Sequence, residues 1–148
     1  MSSVALAVAL TTLQVHEIGL RANEPMVLGA GEMIVRLTIA DGADESWRSQ
    51  GGHLTGRSAS GEALLLRAAA DRLEDYRWIM APRPGPLARY RIELDEDAHL
   101  RAVEGVVEVV DGSGTPRLRM ARPFVIDATG ARHAVRPRIE GGAFDRDP

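Results

Sequence analysis

A chain of 148 residues, 45% of them apolar, is the size of one domain with room for a sizeable core, and its net charge of −3 gives no electrostatic footprint for nucleic acid or anionic lipid. It contains no cysteine and no lysine, all 18 basic residues being arginine. Those absences exclude disulfides, zinc–thiolate sites, cysteine nucleophiles, Schiff-base lysines and a P-loop lysine.

The opening MSSVALAVALTTL carries no basic residue before Arg21, which makes it a poor signal peptide, and its apolar stretch is too short to span a bilayer. Val4, Leu6, Val8 and Leu10 alternate with Ala5, Ala7 and Ala9, the pattern of a buried strand. In MIVRLTIA (33–40), Met33, Val35, Leu37 and Ile39 share one strand face. GGHLTGRS (51–58) has P-loop spacing with arginine in place of lysine, but the polar ESWRSQ before it is no core strand, so a Gly/Ser loop is expected. GRSASG (56–61) comes close to a nucleophile elbow, with Ser60 where the second glycine belongs, and a chain this short lacks the fold that such an elbow needs.

GEALLLRAAADRLEDYRWIM (61–80) reads two ways. Leu64, Leu65, Ala68, Ala69 and Leu73 fit a helical stripe, while Tyr76, Trp78 and Met80 alternate as in a strand. A β-hairpin turning at 70–72 accounts for both halves and is preferred over a helix at 61–75. A proline-rich turn at 82–86 follows. In LARYRIEL (87–94), Ala88, Tyr90, Ile92 and Leu94 face one way and the charges the other. The acidic turn ELDEDAH places Asp97 two residues from His99, without the glycine of a calcium loop, and the four histidines show no ligand spacing.

Two echoing stretches close the pattern, VEVVDGSGTPRLR (107–119) and MARPFVIDATGARHAV (120–135), with Asp111 and Asp127, and Gly114 and Gly130, sixteen residues apart. Aspartate at the first turn position accepts a backbone N–H, and glycine at the last tolerates positive φ. Four-residue loops would set Val107 against Leu118, Glu108 against Arg117, Ile126 against Ala131 and Phe124 against His133. Asp111, Gly114, Asp127 and Gly130 are thus read as turn-forming, with no catalytic, cofactor-binding or metal role. Pro116 and Pro123 belong at edges, strand starts or bulges.

From about Tyr76 to Gly142 the chain resembles a β-rich segment near the N-termini of large bacterial surface proteins of the RHS-repeat or FG-GAP β-propeller kind. The likeness rests on Tyr90–Leu94, Val103–Arg119 and Pro123–Arg132. It implies a non-catalytic β module in a surface or secreted setting and carries over no functional residue. The cysteine expected near Gly142 and the long continuation of such proteins are missing here.

The expected fold is mainly β: an antiparallel β-sandwich or meander of hairpins over 1–140, with 141–148 as an exposed tail. The leading functional reading is a non-enzymatic structural or interaction module that pairs an edge strand with a protein partner. A first alternative is a carbohydrate- or small-ligand-binding sandwich, in which Trp47, Trp78, Tyr76 and Tyr90 would form a stacking platform; with six aromatics in the chain, the core is expected to claim most of them. A second alternative is a small enzyme with an Asp/Glu–His site. No cofactor, nucleic acid or membrane span is expected, and the poor leader leaves a cytoplasmic setting open beside a secreted one.

Overall fold

Met33, Val35, Leu37 and Ile39 are buried while Arg36 between them is exposed, because side chains alternate across a pleated strand and only one face meets the core. The same logic runs through the computed structural model of the protein, which describes residues 4–81, 84–141 and 144–145. Its strands in chain order begin with β1 (Val4–Thr11), β2 (Gln14–Ile18), β3 (Met26–Ala30), β4 (Met33–Ile39) and β5 (Arg48–Gln50). Next come β6 (His53–Arg57), β7 (Ala63–Ala69), β8 (Arg72–Ile79), β9 (Tyr90–Leu94) and β10 (His99–Val103). The last are β11 (Val106–Val110), β12 (Pro116–Met120), β13 (Phe124–Ile126), β14 (Arg132–Ala134) and β15 (Phe144–Asp145).

A smaller antiparallel sheet runs β2-β3-β4-β9, and a larger one runs β15-β10-β11-β12-β1-β8-β7-β6-β5. The hairpin β13–β14 joins the larger sheet beside β1. The inner faces meet in a main core, with Met26, Leu28 and Val35 of the smaller sheet and Leu66, Leu73 and Val109 of the larger, and Leu6, Val8 and Ile79 form a second buried cluster. This is the expected β-sandwich. Among the described residues there is no helix, so none is long and apolar enough to cross a membrane.

The segment 61–80 is the hairpin β7–β8, with Ala69 paired to Arg72 across a two-residue turn, rather than a helix at 61–75. The opening apolar run is β1, central in the larger sheet, with β8 on one side and β12 and β13 on the other. GGHLTGRS forms a turn at Gly51–Gly52 followed by β6, with no phosphate cradle and no helix. Ser58, in the near-elbow, is buried, and its hydroxyl accepts the Glu62 N–H at 3.0 Å. The 82–86 turn lies in part outside the described residues.

The two Asp-x-x-Gly stretches do reverse the chain, with Gly114 and Gly130 at φ 85° and 86°. The register differs from the four-residue reading. Asp111 N–H bonds to the Thr115 carbonyl and Asp127 N–H to the Ala131 carbonyl, so each aspartate, directly after its strand, closes a loop of three residues, the left-handed glycine supplying a bulge. Ile126 therefore pairs with Arg132, Val125 with His133, and Phe124 with Ala134. In the first hairpin a second irregularity, opposite Pro116, sets Val109 against Leu118, Glu108 against Arg119 and Val107 against Met120. Pro116 has no N–H to give the ladder, and it opens β12; Pro123 directly precedes β13.

A Cβ at Gly130 would meet no atom within 4 Å, so the cost of a side chain there is conformational alone. Gly130→Val is expected to destabilise the fold by about 1 kcal/mol or more, read from the urea midpoint. An unchanged midpoint would show that the turn takes another conformation in solution.

Candidate functional site

The two turn aspartates make matching bonds. Asp111 accepts from the N–H groups of Ser113 (3.0 Å) and Thr115 (2.9 Å), the Ser113 hydroxyl (2.7 Å) and Arg117 Nε (2.8 Å). Asp127 accepts from the N–H groups of Thr129 (2.8 Å) and Ala131 (3.1 Å) and the Thr129 hydroxyl (2.6 Å), and His133 Nε2 lies 2.7 Å away. The bonds from Arg117 and Ser113 hold the Asp111 carboxyl well below the usual carboxylate range, and those from Thr129 and His133 do the same for Asp127. The Asp127–His133 pair resembles the Asp–His part of a catalytic triad. The sister turn places Arg117 in the position of His133, and an arginine cannot take up a proton there. Fastening the turn accounts for both pairs. Among the described residues no group of three His, Asp or Glu side chains is placed to hold a metal ion.

The aromatic residues divide in a way their number in the sequence does not foretell. Tyr90 points into the sandwich and donates its hydroxyl to Asp75. Trp47 packs half-buried over Gly56, where a Cβ would come within 2.8 Å of its ring. Tyr76 and Trp78 lie on the other side of the larger sheet, away from the core. Their strand partners fix this: directly paired residues share a face, and Leu6, Arg77, Val8, Asp75, Leu10 and Leu73 take the inner one. So the alternation in RLEDYRWI is the reverse of what its aromatics imply, and none of the described aromatics is fully buried.

The outer face is a shallow trough. Its floor is the small row Ala5, Ala7 and Ala9 of β1, in which Ala7 is buried between Tyr76 and Phe124 and its two neighbours are half-buried. Trp78 and Tyr76 of β8 stand beside Ala5 and Ala7 on one side, and Ile126 and Phe124 of β13 on the other. Two strand spacings put the walls about 10 Å apart, and the rows from Ala5 to Thr11 run for about 20 Å. Trp78 is 37% exposed, and Met80 beyond it 52%. The Tyr76 hydroxyl donates to Glu74 at 2.7 Å, with Arg67 3.9 Å from the same carboxylate. The guanidinium of Arg132 lies over the Phe124 ring at 4.4 Å. Thr11, at the far end of the trough, pairs with Arg72 on one side and Arg119 on the other.

Behind the trough, on the inner side of β8, lies a buried polar cluster. The Arg77 guanidinium is inaccessible to solvent and donates to both oxygens of Asp41 (2.5 and 3.0 Å) and to the Leu87 carbonyl (3.1 Å). Glu62 lies 3.8 Å from it. Burial pushes the Asp75 carboxyl up to about 6, against the opposing pull of Tyr90 and Arg77. Burial beside that carboxylate also holds the Tyr90 phenol well above its ordinary value. A cavity of about 50 Å³, walled mostly by aliphatic side chains, touches Asp75 and Tyr90 of this cluster on one side and Val109 and Leu118 on the other. The cluster ties Asp41, after β4, to β8 and Tyr90 to β8, and so clamps the two sheets together.

Sequence reading found Tyr76 and Trp78 as members of a platform but grouped them with Trp47 and Tyr90, which the fold takes inward. It missed Phe124, Ile126 and the alanine floor, although the Ala5/Ala7/Ala9 alternation is plain in the sequence. Compared with family models, curated proteins and solved structures, the chain matches none of them.

Proposed function

We propose that the protein is a non-enzymatic β-sandwich binding module whose ligand surface is the outer face of its larger sheet. One observation carries this reading: Trp78 and Tyr76 stand outward above a floor of alanines instead of filling the core. Large aromatic surface left in water costs free energy unless something covers it, and flat rings over a shallow trough suit a ligand with ring faces of its own. This favours the ligand-binding form of the module. Its setting, on the resemblance of residues 76–142, is a bacterial surface or secreted system.

Pairing with a protein through an edge strand is the second reading. It is supported by the β10 edge, which takes residues 144–145 as a parallel strand. Two other edges are guarded: β5 has three residues, and β9 carries exposed Arg91 and Glu93.

The binding reading is tested by tryptophan fluorescence during titration with soluble polysaccharides of different sugar and charge. At least one is expected to change the emission saturably, and Trp78→Ala, folded by circular dichroism, is expected to abolish binding in calorimetry. Truncating a central stacking residue typically weakens binding by about 2 kcal/mol or more. Undiminished binding by Trp78→Ala, or silence across the whole panel, rejects this face as the ligand surface.

A further inference from the structure

From the charges that frame the trough, we infer that its ligand is an acidic polysaccharide, a chain of sugar rings bearing carboxylates; this rests on the binding-face reading above. The protein is acidic as a whole, yet arginines outnumber carboxylates on this face, where pairing also places Glu74 and Glu108, the latter opposite Arg119 and bonded to Arg101. Strand pairing places Arg57, Arg67, Arg72, Arg119 and Arg132 on the same side of the sheet as Tyr76 and Trp78. All five are exposed. Arg67 is 3.9 Å from Glu74, whereas Arg57, Arg72 and Arg119 form no ion pair among the described residues. Arginine without a carboxylate partner is a planar fork of donors, the geometry that takes a carboxylate through two hydrogen bonds.

Position sharpens the assignment. Arg72 and Arg119 flank Thr11 at one end of the trough; Arg132, two strands from β1, rests on Phe124, and Arg57 lies three strands away, beyond Trp78. Two arginines without an ion pair therefore close one end of an apolar row about 20 Å long, and Arg57 and Arg132 lie farther out on the same face. A single small anion fills neither end-to-end length nor floor. A chain of rings does, with ring faces over Tyr76 and Trp78 and a carboxylate at the Arg72–Arg119 end. Glu74 then distinguishes the two polyanions that could lie there. Its carboxylate stands in the β8 wall beside Ala9, where it accepts hydrogen bonds from sugar hydroxyls but repels a phosphodiester backbone, which has no proton to give. The acidic glycan is favoured over single-stranded nucleic acid on that ground.

The test is calorimetric titration of the whole protein at low salt with polygalacturonate, with neutral dextran and with an oligothymidylate. Polygalacturonate is expected to bind and the other two not. The double variant Arg72→Gln, Arg119→Gln is expected to bind it about tenfold or more weakly, and 0.5 M NaCl to weaken the parent similarly. Trp78→Ala, with all arginines kept, separates the two levels of the claim. If dextran binds as well as polygalacturonate and Trp78→Ala abolishes both, the face is the ligand surface but the acidic assignment is wrong. Tighter binding of the oligonucleotide overturns the glycan in favour of nucleic acid. Polygalacturonate binding that survives Trp78→Ala and both arginine substitutions places its site elsewhere and overturns the proposal together with the face.

Discussion

Replacing Arg77 by methionine is expected to lower stability by about 3–5 kcal/mol, the usual consequence of removing one member of a buried ion pair. The volume of the side chain is roughly kept, so the loss is electrostatic and not a cavity effect. Asp41 is left without its two hydrogen bonds, and Glu62 and Asp75 lose the cation that offsets their burial. The Leu87 carbonyl loses a donor as well. Urea denaturation measures the change from the shift in midpoint at constant slope. The double variant Arg77→Met, Asp75→Asn is expected to recover part of the loss, since one of the stranded charges goes with it. A single-variant loss below about 1 kcal/mol would mean that water reaches the cluster and that the clamp between the sheets is weak.

The second large effect depends on pH. The folded state raises the Asp75 carboxyl to about 6, above its ordinary value, chiefly through burial. A carboxyl raised on folding binds protons more tightly in the native state than in the unfolded chain. Between about pH 4 and 6 the native state therefore holds more protons, and stability falls as pH rises through that window. A shift of this size corresponds to about 3 kcal/mol between its two ends. Melts at pH 5 and pH 8 are expected to show the parent more stable at pH 5, and Asp75→Asn to remove most of that difference. Asp111 and Asp127, lowered by their turn bonds, act in the opposite sense: their contribution is complete above about pH 4 and is lost as pH falls further. Their titration lies below the window of Asp75 and does not mask it. A parent that gains stability from pH 5 to 8, with Asp75→Asn following the same curve, would show Asp75 to be solvated.

The strand content of the fold was legible because period-two runs such as 33–40 have one simple explanation: a face in the core and a face outside. The Asp-x-x-Gly turns were legible because aspartate caps such a turn and glycine adopts the left-handed backbone most cheaply. Register was not. A bulge moves a pairing by one residue without leaving a mark in composition, and Asp111 pairs or loops with the same side chain. The candidate face was hidden for another reason. In RLEDYRWI the larger hydrophobic surface belongs to Tyr76 and Trp78, so hydrophobicity assigns them to the core. What decides the matter lies elsewhere in the chain: Leu6, Val8 and Leu10 of β1 pair with Arg77, Asp75 and Leu73, and Asp41 supplies a counter-ion from a distant loop. A buried arginine becomes tolerable only once that partner is in place.

The central position of β1 has a consequence for how the protein is made. Its strand VALAVALT is apolar on one side and nearly so on the other, and it bonds with β8, which begins at Arg72, and with β12 and β13, which end at Ile126. A ribosome adds about 5–20 residues each second, so β1 waits several seconds for its first neighbour and longer for the others. Through that interval a sticky, unpaired strand hangs from the nascent chain, the kind of segment that associates with copies of itself on adjacent ribosomes. Slowing translation ahead of β8 should therefore lower the yield of soluble protein, and a chaperone that holds extended apolar segments should restore it.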